Sequence, residues 1–321
     1  MSKEWRRSIE RRMDKEFFYH LIQELCDEMN IKLEKLSFGW ILQLTKGEKV
    51  RHISNYLFDN NPQATGNIVA DKYATYEVLK SQNIPIIKHI MVFHPTIRET
   101  WVPQEGNWNN IIAEFSKYGT LVVKPNHQCK GKNVALCHDL REVEIAVQKI
   151  FSQNETSLSI CPYYEIKTEY RAFYLKGEIL LIYGKTKPFV IGDGKTNLKT
   201  LIEKLQLKEN IILEDNRKEN EIPKKGQKFE ISWKHNLSGG AIPKILEKGE
   251  LYQKIEELAQ KAGKAMNMKF TTIDIIQTIE DELYVMEMNA GVCGDIFAQT
   301  IENGYEIMKE IYRKELEDMF Q

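Results

Sequence analysis

Apolar residues recur at every fourth position from Ile9 through Met13, Phe17, Leu21 and Leu25 to Met29, with Arg and Glu between them. That period predicts one long amphipathic helix over 4–30. After it the pattern changes to continuous apolar runs that read as strands, over 36–44 leaving through Lys46-Gly47, then over 120–124 and 133–137. The stretch 159–191 is strand-rich, with Lys176-Gly177 as a hairpin turn. Helical spacing returns where Asp71 can cap a helix through Tyr76, Val78 and Leu79 that Asn83 and Pro85 end. Further helices are predicted over 109–118, 140–151, 198–205 and 250–266, and at the C-terminus through Leu316 and Met319. Two β-branched runs over 270–276 and 284–289, separated by Glu280-Asp281-Glu282, read as a hairpin.

Strands and helices alternate without a repeat, which predicts α/β or α+β lobes. A chain of 321 residues suits two or three of them. Lys and Arg total 45 against 46 acidic residues, so no global field recruits nucleic acid or an anionic membrane. The charged start argues against a signal peptide, and no apolar run is long enough to span a bilayer, which makes the cytoplasm the expected compartment. Five cysteines, Cys26, Cys129, Cys137, Cys161 and Cys293, include no Cys-x-x-Cys pair, so neither a disulfide framework nor a zinc site is expected. Cys129 alone falls in a polar loop, where Lys130 and Lys132 would lower its pKa. The stretch 208–228 is the most polar and is expected to be an excursion.

Candidate chemistry lies in four places. In the last hairpin, alternation puts Glu287 and Asn289 on one face and Met288 on the other, with Asp274 on the paired strand. Two carboxylates and an amide suit Mg²⁺, which prefers oxygen and shares its shell with nucleotide phosphates; the plain alternative is an acidic hairpin edge in solvent. Lys124 ends a strand and opens Pro125-Asn126-His127-Gln128-Cys129-Lys130-Gly131-Lys132-Asn133, a loop whose donors can cover phosphates. It is not a P-loop, since a strand rather than a helix follows. Lys72 adds a second cation beside Asp71. Between strands, Cys161-Pro162-Tyr163-Tyr164-Glu165 forms a hinge that can present backbone groups to an adenine ring, with Glu169 available to ribose hydroxyls; core aromatics and a surface Glu169–Arg171 ion pair are the alternative. Last, Trp233-Lys234-His235-Asn236-Leu237-Ser238-Gly239-Gly240 joins a cation, an amide and a Gly-Gly turn, suited to developing phosphate charge or simply to a tight turn.

The ordered set resembles the ATP-grasp superfamily of carboxylate-amine ligases over roughly residues 64–300. Glu169-Tyr170-Arg171, Val190-Ile191-Gly192-Asp193-Gly194-Lys195 and Asn236-Leu237-Ser238-Gly239-Gly240 look like the branch containing cyanophycin synthetase and the bifunctional glutathione synthetases. The resemblance implies an α+β ATP-grasp fold with an N-terminal lobe over 1–84, a small lid subdomain with the phosphate loop over 85–161 and a large subdomain over 162–321. It implies that Lys72 and Lys124 contact ATP phosphates, Lys124 also lying near adenine, that Gly131 lies in the closing loop, that Tyr163 and Tyr164 belong to the cofactor-binding hinge and that Glu169 binds ribose. Asp274, Glu287 and Asn289 would hold Mg²⁺, usually two ions, with Mn²⁺ an alternative. Lys234 and Asn236 would address the γ-phosphate and acyl phosphate, and Arg171 the carboxylate or that phosphate.

Departures from the pattern are the glycine-poor phosphate loop, Pro162 where an acidic residue often faces the adenine amino group, and Ala290-Gly291-Val292-Cys293 in place of a Pro-Gly after the Asn. The implied reaction joins an amine to a carboxylate through an acyl phosphate, on an amino acid, a peptide or another small molecule, with no nucleic-acid or membrane partner. An ATP-grasp kinase and a non-catalytic nucleotide-binding module are the competing readings. His127 and His235 are candidates for a general base. Helix 4–30 is expected to cover the N-terminal lobe or to pair two chains as a homodimer.

Overall fold

The structure, a computed structural model, describes residues 16–97, 108–127, 131–205 and 218–321. Helix α1 (Glu16–Glu28) buries Phe18, Leu21, Ile22, Leu25 and Cys26 along one face, the stripe that a 3.6-residue period produces. Ile9, Met13 and Cys129, and the excursion over 208–217, lie outside the described residues. An antiparallel meander follows, of β1 (Lys32–Leu36), β2 (Ile41–Lys46), β3 (Lys49–Ser54) and β4 (Leu57–Phe58). The strand expected over 36–44 is therefore split. Ser37, Phe38 and Gly39 turn the chain with φ of 48°, 57° and 81°, outside the extended region, so the apolar run crosses a hairpin rather than forming one strand.

Helices α2 (Gln63–Ala70) and α3 (Lys72–Ser81) lead to a four-stranded antiparallel sheet in the order β5-β8-β6-β7. Its strands are β5 (Ile90–Phe93), β6 (Leu121–Pro125), β7 (Ala135–Cys137) and β8 (Ser157–Pro162). Helices α4 (Trp108–Tyr118) and α5 (Leu140–Phe151) cover one face, where Ile111, Val143 and Ile150 meet Val123, Leu158 and Ile160. The five-stranded sheet has the order β13-β10-β9-β14-β15, built from β9 (Ile166–Leu175), β10 (Glu178–Lys185), β13 (Pro243–Ile245), β14 (Phe270–Thr278) and β15 (Leu283–Asn289). Between β10 and β13, β11 (Phe189–Ile191), α6 (Leu198–Glu203) and β12 (Lys228–Glu230) close a small core of Val190, Leu198 and Ile231. Helix α7 (Glu250–Ala265) packs Ile255, Leu258 and Ala262 on one face of the five-stranded sheet, against Ala172, Ile182 and Ile273. The chain closes with α8 (Asp295–Thr300) and α9 (Gly304–Phe320). Among the described residues no helix is long and apolar enough to cross a membrane.

The hydrophobic cores cut across the expected lobe boundary at residue 84. Phe18, Leu21, Leu44, Ile53 and Phe58 share one core with Phe173, Phe270, Phe297 and Tyr312, and Val69 and Leu79 share another with α7. The N-terminal meander thus packs on the five-stranded sheet and the C-terminal helices, where Phe58 and Phe270 meet edge to face at 5.2 Å.

Glu315 of α9 is fully buried in this region. Burial, with repulsion from Asp318, pushes its carboxyl up to about 9 from an ordinary value of 4.5, offset only in part by the Asn60 amide. At neutral pH the folded chain therefore holds a proton that the unfolded chain releases. Stability falls as pH rises from 4.5 to about 9 and levels off beyond it. Glu315→Gln removes this dependence, and at pH 7 its advantage over the parent is of order 3 kcal/mol. Urea midpoints at pH 5 and pH 8.5 measure it: the two proteins should agree at the lower pH and diverge at the higher, and parallel curves refute the assignment.

Candidate functional site

The registers of β9, β10, β14 and β15 set four side chains directly opposite one another, Tyr183, Arg171, Asp274 and Glu287. Alternation puts Glu169 and Lys185, also paired, on the same face, and places Asn289 opposite Thr272 beside Glu287. One sheet face thus carries a charged row that the opposite face, packed on α7, lacks. Asp274 is 1% exposed, and both its oxygens accept from Arg171, from Nε at 2.8 Å and from Nη2 at 2.6 Å. Lys185 Nζ donates to Asp274 Oδ1 at 3.1 Å and is also ion-paired with Glu169.

Burial works against the Asp274 charge, but Arg171 and Lys185 outweigh it and hold the carboxyl well below the usual carboxylate range. Glu169 is raised to about 7, because burial and repulsion from Asp274 exceed the pull of Lys185. Glu169 is not open in this arrangement: it is buried in the ion pair with Lys185, and a sugar would reach it once that pair opened. Nor does Arg171 pair with Glu169, since its fork is committed to Asp274. Lys185 was not singled out by the sequence, where it reads as one more basic residue in Gly184-Lys185-Thr186-Lys187.

Two further cations lie at the start of α3 and in β6, Lys72 and Lys124. Asp71 caps α3 by accepting from Ala74 N at 2.8 Å, which starts the helix at Lys72. Lys72 Nζ donates to Asn126 O at 3.1 Å, and Asn126 Oδ1 accepts from Tyr73 N at 3.3 Å. Asn126, fully buried and two residues after Lys124, therefore ties the helix start to the end of β6 and brings the two lysines together. Gly131 has φ of +66°, and a Cβ there would stand 3.3 Å from Asn236 Nδ2 and 3.9 Å from Lys234 Cδ. The phosphate loop and the Lys234–Asn236 turn thus meet at one point. Asn236 Oδ1 accepts from Ser238 N at 3.3 Å and shapes that turn. His235 is buried, and desolvation with nearby Lys187 and Lys185 lowers its pKa to about 4, so it is neutral at pH 7.

An apolar cluster joins the two sheets: Ile87, Val122 and Cys161 meet Ile276 of β14, with Tyr163, Tyr164, Trp233, Tyr284 and Met286 packed around them. Tyr163 meets Trp233 edge to face at 6.0 Å, and Tyr164 lies 5.5 Å from Tyr284. The Tyr163 N–H donates to Thr120 O, so the hinge offers a ligand its other backbone groups.

Residues 224–313 match the RimK-like ATP-grasp domain. Over 257 residues the chain is 23% identical to the tetrahydromethanopterin:alpha-L-glutamate ligase of Methanocaldococcus jannaschii, covering 79% of this chain and 69% of that protein. It is 20% identical over 274 residues to the cyanophycin synthetase of Trichormus variabilis, covering 79% of this chain and 29% of the relative. The bifunctional glutathione synthetase of Pasteurella multocida superposes with a TM-score of 0.55 at 17% identity, covering 92% of this chain and 44% of that one. The D-alanine–D-alanine ligase of Bacillus anthracis does so with a TM-score of 0.53 at 16% identity, over 81% of this chain and 68% of that one. The chain therefore spans less than half of the cyanophycin and glutathione synthetases. These likenesses give it the ATP-grasp fold and kinship with ATP-grasp ligases, as its motifs imply.

Proposed function

We propose that this chain, an ATP-grasp protein related to ATP-dependent ligases, joins a carboxylate to an amine with cleavage of ATP to ADP and phosphate. The observation that carries the reading is the row of Arg171, Asp274, Glu287 and Asn289 on one sheet face, with Gly131 beside Lys234 and Asn236 and with Lys72 tied to the end of β6. In this reading the base lies against the Tyr163-Tyr164 hinge and the triphosphate runs toward Lys72 and Lys124.

A carboxylate oxygen then attacks the γ-phosphorus, the bond to the β-phosphate oxygen breaks, and ADP leaves. The amine nitrogen attacks the acyl carbon, the carbon–oxygen bond to phosphate breaks, and the amine gives up its proton. Lys234 and Asn236 hold the transferring phosphoryl group, and Arg171 keeps one edge on Asp274 while its remaining donors face substrate.

The donor set suits Mg²⁺, as two ions, and Mn²⁺ would use the same oxygens. Glu287 and Asn289 fit as they stand, since their only mutual contact is a 3.4 Å bond from Asn289 Nδ2 to Glu287 Oε1. Asp274 fits once Arg171 and Lys185 yield an oxygen. Such an ion, when bound, neutralises phosphate charge and orients the γ-phosphate for in-line transfer. The archaeal relative is by name a glutamate ligase, which favours an amino acid as one of the two substrates.

Purified protein with ATP, Mg²⁺, hydroxylamine and the twenty amino acids and short peptides as acids tests the reading. An acyl phosphate yields a hydroxamate with matching ADP. ADP with a phosphorylated alcohol and no hydroxamate establishes a kinase instead, and ATP binding without ADP release establishes a binding module.

A further inference from the structure

Lys185 spans two acids that serve different ligands in the proposed reaction, Glu169 for the nucleoside and Asp274 for the metal. The strand order β10-β9-β14 brings this about: Lys185 pairs with Glu169 on β9, and its ammonium reaches on to Asp274 on β14. Lys185, Glu169 and Asp274 are only 3%, 7% and 1% exposed, so neither acid is open to a ligand while the ammonium stays in place. One side chain thus closes both.

The two cations on Asp274 are not equivalent. Arg171 grips both oxygens, at 2.8 Å and 2.6 Å, with a planar fork that matches a carboxylate. Lys185 shares only Oδ1, at 3.1 Å, the longest of the three bonds, through a point charge on a flexible four-carbon stem. Lys185 is therefore the partner that yields first. Its departure has a cost, because a buried ammonium parted from its carboxylates is left uncompensated. A divalent ion arriving at Asp274, Glu287 and Asn289 repels the ammonium, and a hydroxyl donating to Glu169 competes with it for the same oxygens. Either event dislodges the same group. Whichever ligand binds first bears the cost, and the second meets a site already open.

We propose that Lys185 is an internal lock: its ammonium closes Glu169 and Asp274 together in the free protein, and its release couples nucleoside binding at the one to divalent-cation binding at the other. The proposal rests on the nucleotide and metal assignments of the ligase reading and adds their regulation. Nucleoside and metal cooperate through a protein side chain, even where no phosphate joins them.

The test measures binding to the full chain, with adenosine and Mg²⁺ as probes, since adenosine carries the ribose hydroxyls but no phosphate to chelate the metal. Ligand-detected NMR titrations give the adenosine affinity with and without saturating Mg²⁺. In the unaltered protein Mg²⁺ should raise that affinity about tenfold, and adenosine should raise the affinity for Mg²⁺ by the same factor, as linkage requires. Lys185→Met should bring the factor close to one by raising the metal-free affinity. Lys185→Gln, uncharged but able to hydrogen-bond, should do the same and serves if Lys185→Met misfolds. An adenosine affinity that Mg²⁺ leaves unchanged in the unaltered protein overturns the proposal, as does adenosine that fails to bind even with Mg²⁺ while ADP binds. Coupling that persists in the variants, or variants that bind metal-free adenosine no better than the parent, make Lys185 structural and overturn it as well. Failure of ADP to bind with or without Mg²⁺ overturns the nucleotide reading itself, a separate result.

Discussion

Glu287→Gln should abolish measurable ligation while leaving the urea midpoint unchanged. Glu287 is partly exposed and directly opposite Asp274, and its only hydrogen bond among the described residues is the 3.4 Å contact from Asn289. Its charge therefore takes little part in folding and is available to whatever cation bridges protein and phosphate. An amide of the same shape keeps the packing and removes the charge. Loss of one such preorganised group costs about a hundredfold to a thousandfold in rate, roughly 3–4 kcal/mol at the transition state. Initial rates of ADP release at saturating ATP, with circular dichroism and urea titration on the same sample, measure both halves. A folded Glu287→Gln protein that still ligates at the parental rate would remove this hairpin from the chemistry.

The hairpin was legible in the sequence because strand alternation is a local property: once 270–276 and 284–289 read as paired strands, the faces of Asp274, Glu287 and Asn289 follow. The meeting of Gly131 with Lys234 and Asn236 was legible only through the order of motifs, since about a hundred residues separate the two loops. What stayed hidden depends on register between distant strands. Lys185 looks like a surface lysine until β10 pairs with β9, which sets it opposite Glu169 and beside Asp274. The ion partner of Glu169 was hidden for the same reason, being Lys185 across a strand rather than Arg171 two residues along. Asn126 carried no signal beyond being a polar residue in a polar loop, yet it joins Lys72 to β6. In the N-terminal meander the apolar run over 36–44 held no turn signal except Gly39, and Tyr56 gave no hint of contact with residues near 292.

Asp274→Asn should fail on both counts, losing ligation and stability together, and this separates it from its neighbour across the strand. Asp274 is the shared partner of two cations, half-buried Arg171 and buried Lys185. Neutralising it leaves Lys185 with Glu169 alone and Arg171 with the electrostatic pull of Glu287 in place of a hydrogen-bonded carboxylate. Removing one partner from such a buried network costs about 3–5 kcal/mol, most of it the uncompensated charge left behind. Lys185→Met in the Asp274→Asn background should recover part of that loss, because it deletes the surplus cation and replaces it with an apolar chain of similar length. Ligation should not return with it, since the donor oxygen is still missing. Urea midpoints of the two single variants and the double variant close the cycle. Additive effects would mean that Lys185 and Asp274 do not depend on each other. A positive coupling, with activity absent throughout, identifies Lys185 as the residue that makes a buried Asp274 tolerable, and so as the feature that lets this sheet carry its charged row.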